Sequence, residues 1–145
     1  MPQGIGRRRR FAAMSGVKEL KLWQESVALA ADVVRTVKGW SREHRAFGEA
    51  ATEAATSLAC RVAAGYAASA THAQLVEYRA AERALSDLDT RLAVARQAGL
   101  VSSATGAQLA ARSVSVSRLL AGYVGYVERQ VAAGASGAAA ATAPP

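Results

Sequence analysis

Apolar residues recur every three or four positions in four segments of the chain, which is the spacing of an α-helix that buries one face. In the first segment the predicted inward stripe consists of Trp23, Val27, Ala30, Val34 and Val37, widened by Leu22, Leu29 and Val33. Gly39 follows this stripe, and glycine commonly ends helices. The pattern therefore predicts an amphipathic helix that ends near Gly39.

Three further segments have the same spacing and predict three further helices. The second carries Phe47, Ala51, Ala54, Leu58 and Val62 and ends near Gly65. The third carries Tyr78, Ala81, Leu85, Leu88, Leu92 and Ala95 and ends before Gly99. The fourth carries Leu109, Ser113, Val116, Leu120, Tyr123 and Val127.

Hydroxyl side chains mark the starts of the last two predicted helices, because Ser and Thr can accept a hydrogen bond from a free N–H of the first turn. Ser69 or Thr71 is the candidate N-cap of the third helix, and Ser102 or Ser103 is that of the fourth. Gly106 is a weak point in the fourth helix, since glycine is a poor helix former.

No segment alternates apolar and polar residues between Asn-Gly or Asp-Gly turns, so no sheet is predicted. A chain of 145 residues suits a single core. Helices joined by short turns favour neighbours that run in opposite directions. The sequence therefore predicts an all-α protein, an antiparallel up-down four-helix bundle over residues 18–131. Residues 1–17 are predicted to be a disordered basic arm, and residues 132–145 a disordered Ala/Gly/Pro tail.

The formal net charge of +7 invites a nucleic-acid interpretation, so the position of the excess matters. Arg7, Arg8, Arg9 and Arg10 supply most of it, and Lys18 adds one charge. Residues 19–39, 41–66 and 71–98 each balance to zero. The predicted phosphate contacts are, in order, Arg7, Arg8, Arg9, Arg10, Lys18, Arg112, Arg118 and Arg129. A solvated run of arginines without a partner is the alternative interpretation of the arm.

Charged residues interrupt every apolar segment, so no membrane span is predicted. The single cysteine, Cys60, cannot form an internal disulfide, which favours the cytoplasm. Cys60 stands beside Arg61 and is weighed as an activated thiol, but buried packing is the favoured interpretation.

Few residues suggest catalysis or metal binding. His44 and His72 are expected at the surface, and no His-x-x-x-His or Glu-x-x-His pair exists for a metal. The serines lack a Gly-x-Ser-x-Gly elbow, and no phosphate-binding glycine loop is present. The sequence therefore predicts no catalytic residue, no metal, no cofactor and no enzyme.

Other polar and aromatic residues are better explained by assembly. Trp40 and Tyr126 fall off the predicted stripes, and aromatic residues are enriched at subunit interfaces. Asp87 can pair with Arg83 or Arg91 along its own helix. Asp89 and Thr90 are interpreted either as surface residues or as contacts to a neighbouring helix or subunit.

Four stretches resemble the four-helix-bundle proteins encoded in bacterial ribosomal-RNA intervening sequences. Their relatives are the accessory variability determinants of diversity-generating retroelements. Leu22-Trp23 resembles the start of the family's first helix, and residues 54–65 resemble its Arg-Ala-x-Ser-Ile-Pro-x-Asn-Ile-Ala-Glu-Gly block. Residues 85–92 resemble its Leu-x-Glu-Leu-Glu-Thr-x-Leu block, and residues 95–100 its Ala-x-x-x-Gly-Leu ending. The similarity spans residues 19–130.

The second-helix region departs from the family pattern at four positions. Glu53 stands in place of Arg, Ala59 of Pro, Arg61 of Asn and Ala64 of Glu. The block therefore supports the fold better than an activity. The resemblance implies a homopentameric ring of bundles. In the retroelement branch it implies a basic assembly that engages nucleic acid and a reverse transcriptase.

The leading functional hypothesis is an oligomeric accessory protein that binds nucleic acid and a reverse transcriptase, with Trp40, Tyr126, Asp89 and Thr90 at subunit interfaces. The alternative is a self-assembling bundle of the intervening-sequence branch without nucleic-acid activity. An enzyme is the third and least supported hypothesis, since no cleft of convergent polar groups is evident in the sequence.

Overall fold

The computed structural model describes residues 16–17 and 20–142 of the chain, and residues 20–142 contain four α-helices and no strand. The helices are α1 (Lys21–Lys38), α2 (Arg45–Ala67), α3 (Thr71–Gln97) and α4 (Ser103–Thr142). A short 3-10 turn, Arg42–His44, lies between α1 and α2. The all-α prediction is confirmed for this part of the chain.

Each helix packs against two others. α2 packs against α1 and α3, α3 packs against α4, and α4 returns to α1. This closed arrangement surrounds one hydrophobic core, to which all four helices contribute. The prediction of a four-helix bundle is therefore confirmed.

Side-chain contacts show how α3 and α4 lie along one another. Arg79, early in α3, forms an ion pair with Glu128, late in α4. Asp89, in the middle of α3, accepts a hydrogen bond from the hydroxyl of Ser113. The side chain of Arg96, near the end of α3, lies against Gly106 at the beginning of α4.

The predicted inward stripes of α2, α3 and α4 are confirmed. Leu58 in α2, Leu88 in α3 and Leu120 in α4 are among the largest fully buried side chains of the described residues. The remaining members are either buried or half-buried against the core. Burying a leucine side chain stabilises the fold by roughly 1.5–3 kcal/mol.

The predicted stripe of α1 is wrong at two positions. Val27 and Val34 are 37% and 46% exposed, whereas Ser26 is fully buried between Leu22 and Leu29. The Ser26 hydroxyl donates a hydrogen bond to the Leu22 carbonyl oxygen at 2.7 Å, so this polar side chain is satisfied within its own helix. The helix is consequently turned so that Leu22, Leu29 and Val33 face the core.

A short connection, residues 98–102, joins α3 to α4. Gly99 has a φ of +78°, a conformation that glycine adopts without steric strain, and the next N–H, of Leu100, donates to the carbonyl oxygen of Ala95. Ser102 then accepts a hydrogen bond from the N–H of Thr105 at 3.1 Å. Of the two predicted N-caps of the fourth helix, the structure selects Ser102.

The predicted N-cap of the third helix is wrong. α3 begins at Thr71 after Ala70, and no side chain caps its first turn. Gln74 instead donates from its side-chain amide to the carbonyl oxygen of Ala68 at 3.1 Å, which holds the end of α2 close to α3.

The last helix runs beyond the predicted end of the bundle at residue 131. Val131 packs against the core, and residues 132–135 are exposed. The helix nevertheless continues to Thr142, so residues 132–142 are helical where the composition predicted disorder. Alanine has the highest helix propensity, which favours a helix in this segment. The predicted arm lies outside the described residues up to residue 15.

Candidate nucleic-acid and assembly surfaces

The predicted phosphate contacts fall into three groups. Arg7, Arg8, Arg9, Arg10 and Lys18 lie outside the described residues. Arg112 forms an ion pair with Asp32 of α1 at 2.8 Å, so its charge is already partnered. Arg118 and Arg129 are exposed and have no ion pair within residues 20–142. These two arginines are the members of the set on the bundle that remain available to a phosphate.

The point where the arm joins the bundle is defined by two residues. Val17 is 5% exposed, and Gly16 lies directly against the hydroxyl of Tyr66 at the end of α2. The neighbouring Gly65 contacts the ring of Tyr78, which in turn packs against Tyr123 of α4 at a centroid distance of 5.8 Å. Residues 16–17 of the predicted arm therefore lie at the end of the bundle where α2 ends and α3 starts, near the second half of α4.

Tyr78 is the buried member of the three tyrosines at this end of the bundle. Tyr78 is 3% exposed. Burial, and then the nearness of the Tyr123 and Tyr66 hydroxyls, raises the pKa of Tyr78 to about 12 from its ordinary value of 10.0. Tyr78 is therefore neutral at physiological pH and acts as a packing residue rather than as an acid or base.

The predicted interface residues lie on three different elements. Trp40 is half-buried in the connection between α1 and α2, where it stacks on Phe47 at a centroid distance of 5.8 Å. Asp89 is exposed and also accepts a hydrogen bond from Ser113, so it is a surface residue that contacts a neighbouring helix. The hydroxyl of Thr90 donates to the carbonyl oxygen of Ser86 and is exposed. Tyr126 is 56% exposed, and its role at a subunit interface stays a prediction.

An apolar surface on α1 was missed because its residues were assigned to the core. Val27 and Val34 are exposed one above the other on this helix, with Ala30 half-buried between them. We call these three residues the α1 stripe. The signal in the sequence was the breadth of the apolar pattern of α1, which covers more positions than one buried face requires.

A shallow groove of about 480 Å³ crosses α2 near the end of α1. Val37 comes from α1, and the other lining residues, Glu49, Thr52, Glu53, Thr56, Ser57 and Cys60, belong to α2. Cys60 is exposed here, so its prediction as a buried packing residue is wrong. The groove has little polar surface and adds to the apolar area that the chain leaves exposed.

A second groove of about 370 Å³ lies between α3 and α4. Leu92 and Leu109 contribute apolar lining, while Asp89 and Arg96 contribute charge. Asp89 accepts a hydrogen bond from Ser113 within the chain, and the side chain of Arg96 lies against Gly106.

Groups with chemical reactivity are scattered over the described residues. Within them, no cluster of three or more His, Cys, Asp or Glu side chains is close enough to hold a metal ion. His72 is exposed, and His44 is half-buried beside Glu43. Asp87 pairs with Arg91 at 3.0 Å, as expected from their spacing. None of the helices in the described part is long and apolar enough to cross a membrane.

The sequence model of the 23S rRNA-intervening sequence protein family matches residues 18–122. The matched region extends from just before α1 to the middle of α4 and so includes α1, α2, α3 and the first half of α4. No curated protein matches the chain.

Proposed function

Because the chain belongs to the 23S rRNA-intervening sequence protein family, we propose that it is a non-enzymatic, self-assembling accessory protein of the cytoplasm. Its bundle has the antiparallel up-down order and assembles as a homopentamer. In a diversity-generating retroelement it binds nucleic acid and a reverse transcriptase. The assembly holds its partners together by surface contacts and charge, without making or breaking covalent bonds.

The exposed α1 stripe is the observation that carries the self-assembly proposal. Val27 and Val34 are 37% and 46% exposed although they stand in a regular apolar pattern. Burying apolar surface of this kind against another subunit is favourable by roughly 25 cal/mol per Å². The groove on α2, which Val37 of α1 also lines, is a further apolar surface that accommodates a helix more readily than a small polar ligand.

The contacts between α3 and α4 support the antiparallel order. Residues that come later in α3 contact residues that come earlier in α4, from Arg79 with Glu128 to Arg96 with Gly106. The connections at residues 39–44, 68–70 and 98–102 are short, which favours neighbours running in opposite directions.

The arm supports the nucleic-acid part of the proposal. Five copies of Arg7, Arg8, Arg9 and Arg10 on one assembly would displace many counterions from a phosphate backbone. Arg129 lies six residues beyond Tyr123, which belongs to the tyrosine contacts where the arm begins. The reverse-transcriptase part rests on the resemblance of residues 19–130 to the retroelement branch.

A salt-titrated binding assay tests the nucleic-acid proposal. Single-stranded RNA and duplex DNA are titrated with the full chain, with a variant carrying Arg7–Arg10→Gln, and with a chain that begins at Val17. We expect both altered proteins to bind more weakly and with a shallower salt dependence than the full chain. If the full chain binds neither nucleic acid at low salt, the nucleic-acid proposal is lost.

A self-assembling bundle without nucleic-acid activity is the second candidate. It is favoured by the charge balance of residues 19–98 and by the pairing of Arg112 with Asp32. In that case the chain that begins at Val17 retains every binding property of the full chain. A reverse-transcriptase gene and a variable repeat beside the gene would favour the first candidate.

A further inference from the structure

A cleft of about 330 Å³ lies where α1 ends and α2 begins, and basic side chains dominate its charged lining. The whole lining comes from residues 37–49, so the cleft is formed by one continuous stretch of chain. The lining residues are Val37, Lys38, Trp40, Ser41, Arg42, His44, Arg45 and Glu49.

The positive charge of this cleft is largely uncompensated. Lys38 and Arg42 are exposed and form no ion pair within the described part of the chain. Arg45 has Glu49 at 3.7 Å, but both side chains are more than 70% exposed, and such pairs contribute little. Glu43, the other carboxylate of the connection, is near Ser41 and His44 instead.

The cations are attached to a well-packed connection. Trp40 stacks on Phe47 with an angle of 18° between the ring planes. Gly48 permits this packing, since a Cβ atom there would lie 2.5 Å from Val37 and 3.3 Å from the Trp40 ring. The Trp40 indole Nε1–H is buried and has no hydrogen-bond partner among the described residues. The backbone that carries Lys38, Arg42 and Arg45 is thus held in place by aromatic packing.

We propose that this cleft binds a phosphate group through Lys38, Arg42 and Arg45. Guanidinium groups match the oxygen geometry of phosphate, and a lysine ammonium adds charge without a fixed direction. The first turn of α2 has no acidic side chain that would offset this positive charge.

The phosphate comes from a nucleic-acid backbone or from free phosphate. The nucleic-acid source rests on the proposed function, whereas the site itself is separate in sequence from the arm. Lys38 and Arg42 were not among the phosphate contacts predicted from the sequence, because the charges of residues 19–39 and of residues 41–66 each balance to zero. In the folded chain Glu43 lies near Ser41 and His44, whereas Lys38 and Arg42 form no ion pair within the described residues.

The full chain offers a direct reporter of this site. It has two tryptophans, so its nitrogen–proton spectrum contains the indole signals of Trp40 and Trp23, and Trp40→Phe assigns them. Sodium phosphate is titrated at constant ionic strength, with chloride as the balancing anion, and a short single-stranded RNA is titrated separately. We expect the Trp40 signal to shift and saturate, while that of Trp23 stays in place.

Two charge-matched variants identify the ligands. Lys38→Gln/Arg42→Gln is expected to weaken phosphate binding about tenfold or more, because charged hydrogen bonds are lost. Lys21→Gln/Arg83→Gln removes the same charge from exposed positions elsewhere on the bundle and is expected to leave the affinity unchanged. The absence of a saturable Trp40 shift with phosphate, or equal affinities of the two double variants, overturns the proposal.

The RNA titration separates the two sources. If both phosphate and RNA shift the Trp40 signal, and Lys38→Gln/Arg42→Gln loses both shifts, the ligand is a nucleic-acid backbone. If only phosphate shifts the signal, the site is supported and its ligand is free phosphate. Failure of the proposed function has a different outcome, since RNA binding is then absent while the phosphate shift remains. If RNA binds through the arm but phosphate gives no Trp40 shift, only the cleft proposal fails.

Discussion

The ring of Tyr78 in α3 lies directly over Gly65 in α2, where a Cβ atom would come within 2.6 Å of the ring carbon Cε1. The same ring packs against Tyr123 of α4 at a centroid distance of 5.8 Å. Three helices therefore meet at Tyr78, and the absence of a side chain at residue 65 makes this meeting possible. Gly65 was recognised in the sequence only as the end of a helix.

Gly65→Ala is expected to destabilise the bundle, because overpacking a buried contact typically costs about 1–3 kcal/mol and exceeds the gain in helix propensity. Gly122→Ala is the matched control, since Gly122 also lies within a helix but has no atom within 4 Å of an added Cβ. It is expected to stabilise the fold by up to about 1 kcal/mol. Urea unfolding of both variants measures the difference, and equal stabilisation by the two would contradict this account of Gly65.

The raised pKa of Tyr78 predicts a loss of stability at alkaline pH. The folded chain keeps the phenolic proton up to a pKa of about 12, whereas the unfolded chain releases it near 10.0. The contribution of Tyr78 to the free energy of unfolding is therefore fully present below pH 10. It is lost progressively as the pH rises toward 12, by up to about 3 kcal/mol. The free energy of unfolding, measured across this pH range, should decline less in Tyr78→Phe than in the unaltered chain. Tyr126→Phe, at an exposed position, should retain the decline of the unaltered chain.

Arg112 and Arg118 should separate a structural role from a binding role. Arg112 pairs with Asp32 across α4 and α1, so Arg112→Gln is expected to lower the free energy of unfolding by up to about 1 kcal/mol and to leave nucleic-acid affinity unchanged. Arg118 is exposed and has no ion pair in residues 20–142, so Arg118→Gln should leave stability unchanged. It should also reduce the salt slope of binding by about 0.7–0.9. A larger loss of affinity in Arg112→Gln would reverse these assignments.

The α1 stripe predicts that one exposed valine matters more for assembly than another. Val34→Glu places a charge in the stripe and is expected to shift the chain toward monomers. Val76→Glu is the control, because Val76 is 53% exposed on α3 and lies outside the stripe. Both substitutions should change the stability of a single bundle by less than about 0.5 kcal/mol. Sedimentation of the two variants at equal concentration tells them apart, and identical behaviour would exclude the stripe from the interface.

The fold was largely predictable because three of the four helices carry a single apolar stripe. Leu85, Leu88 and Ala95 can face only one way without exposing several apolar side chains, so spacing alone identifies their buried face. α1 was different because the α1 stripe lies beside a second apolar row, formed by Leu22, Leu29 and Val33, on the same helix. The stripe that faces the core includes Ser26, whose hydroxyl donates a hydrogen bond within the helix and can therefore be buried.

The surfaces were less predictable because their properties arise from contacts between segments distant in the sequence. Arg112 has the same charge as Arg118, yet only Arg112 meets a carboxylate when α4 packs against α1. Asp89 similarly meets Ser113 only when α3 packs against α4. Spacing along one helix predicted the pair of Asp87 with Arg91, which is local.

The mass of the full chain in solution tests the central claim of self-assembly most directly. Analytical ultracentrifugation at micromolar concentration and moderate salt is expected to give one species with five times the chain mass of 15.0 kDa. An assembly of another number would correct the stoichiometry and keep the claim that the α1 stripe is covered by another subunit. A single species of 15.0 kDa across the accessible concentrations would contradict the account.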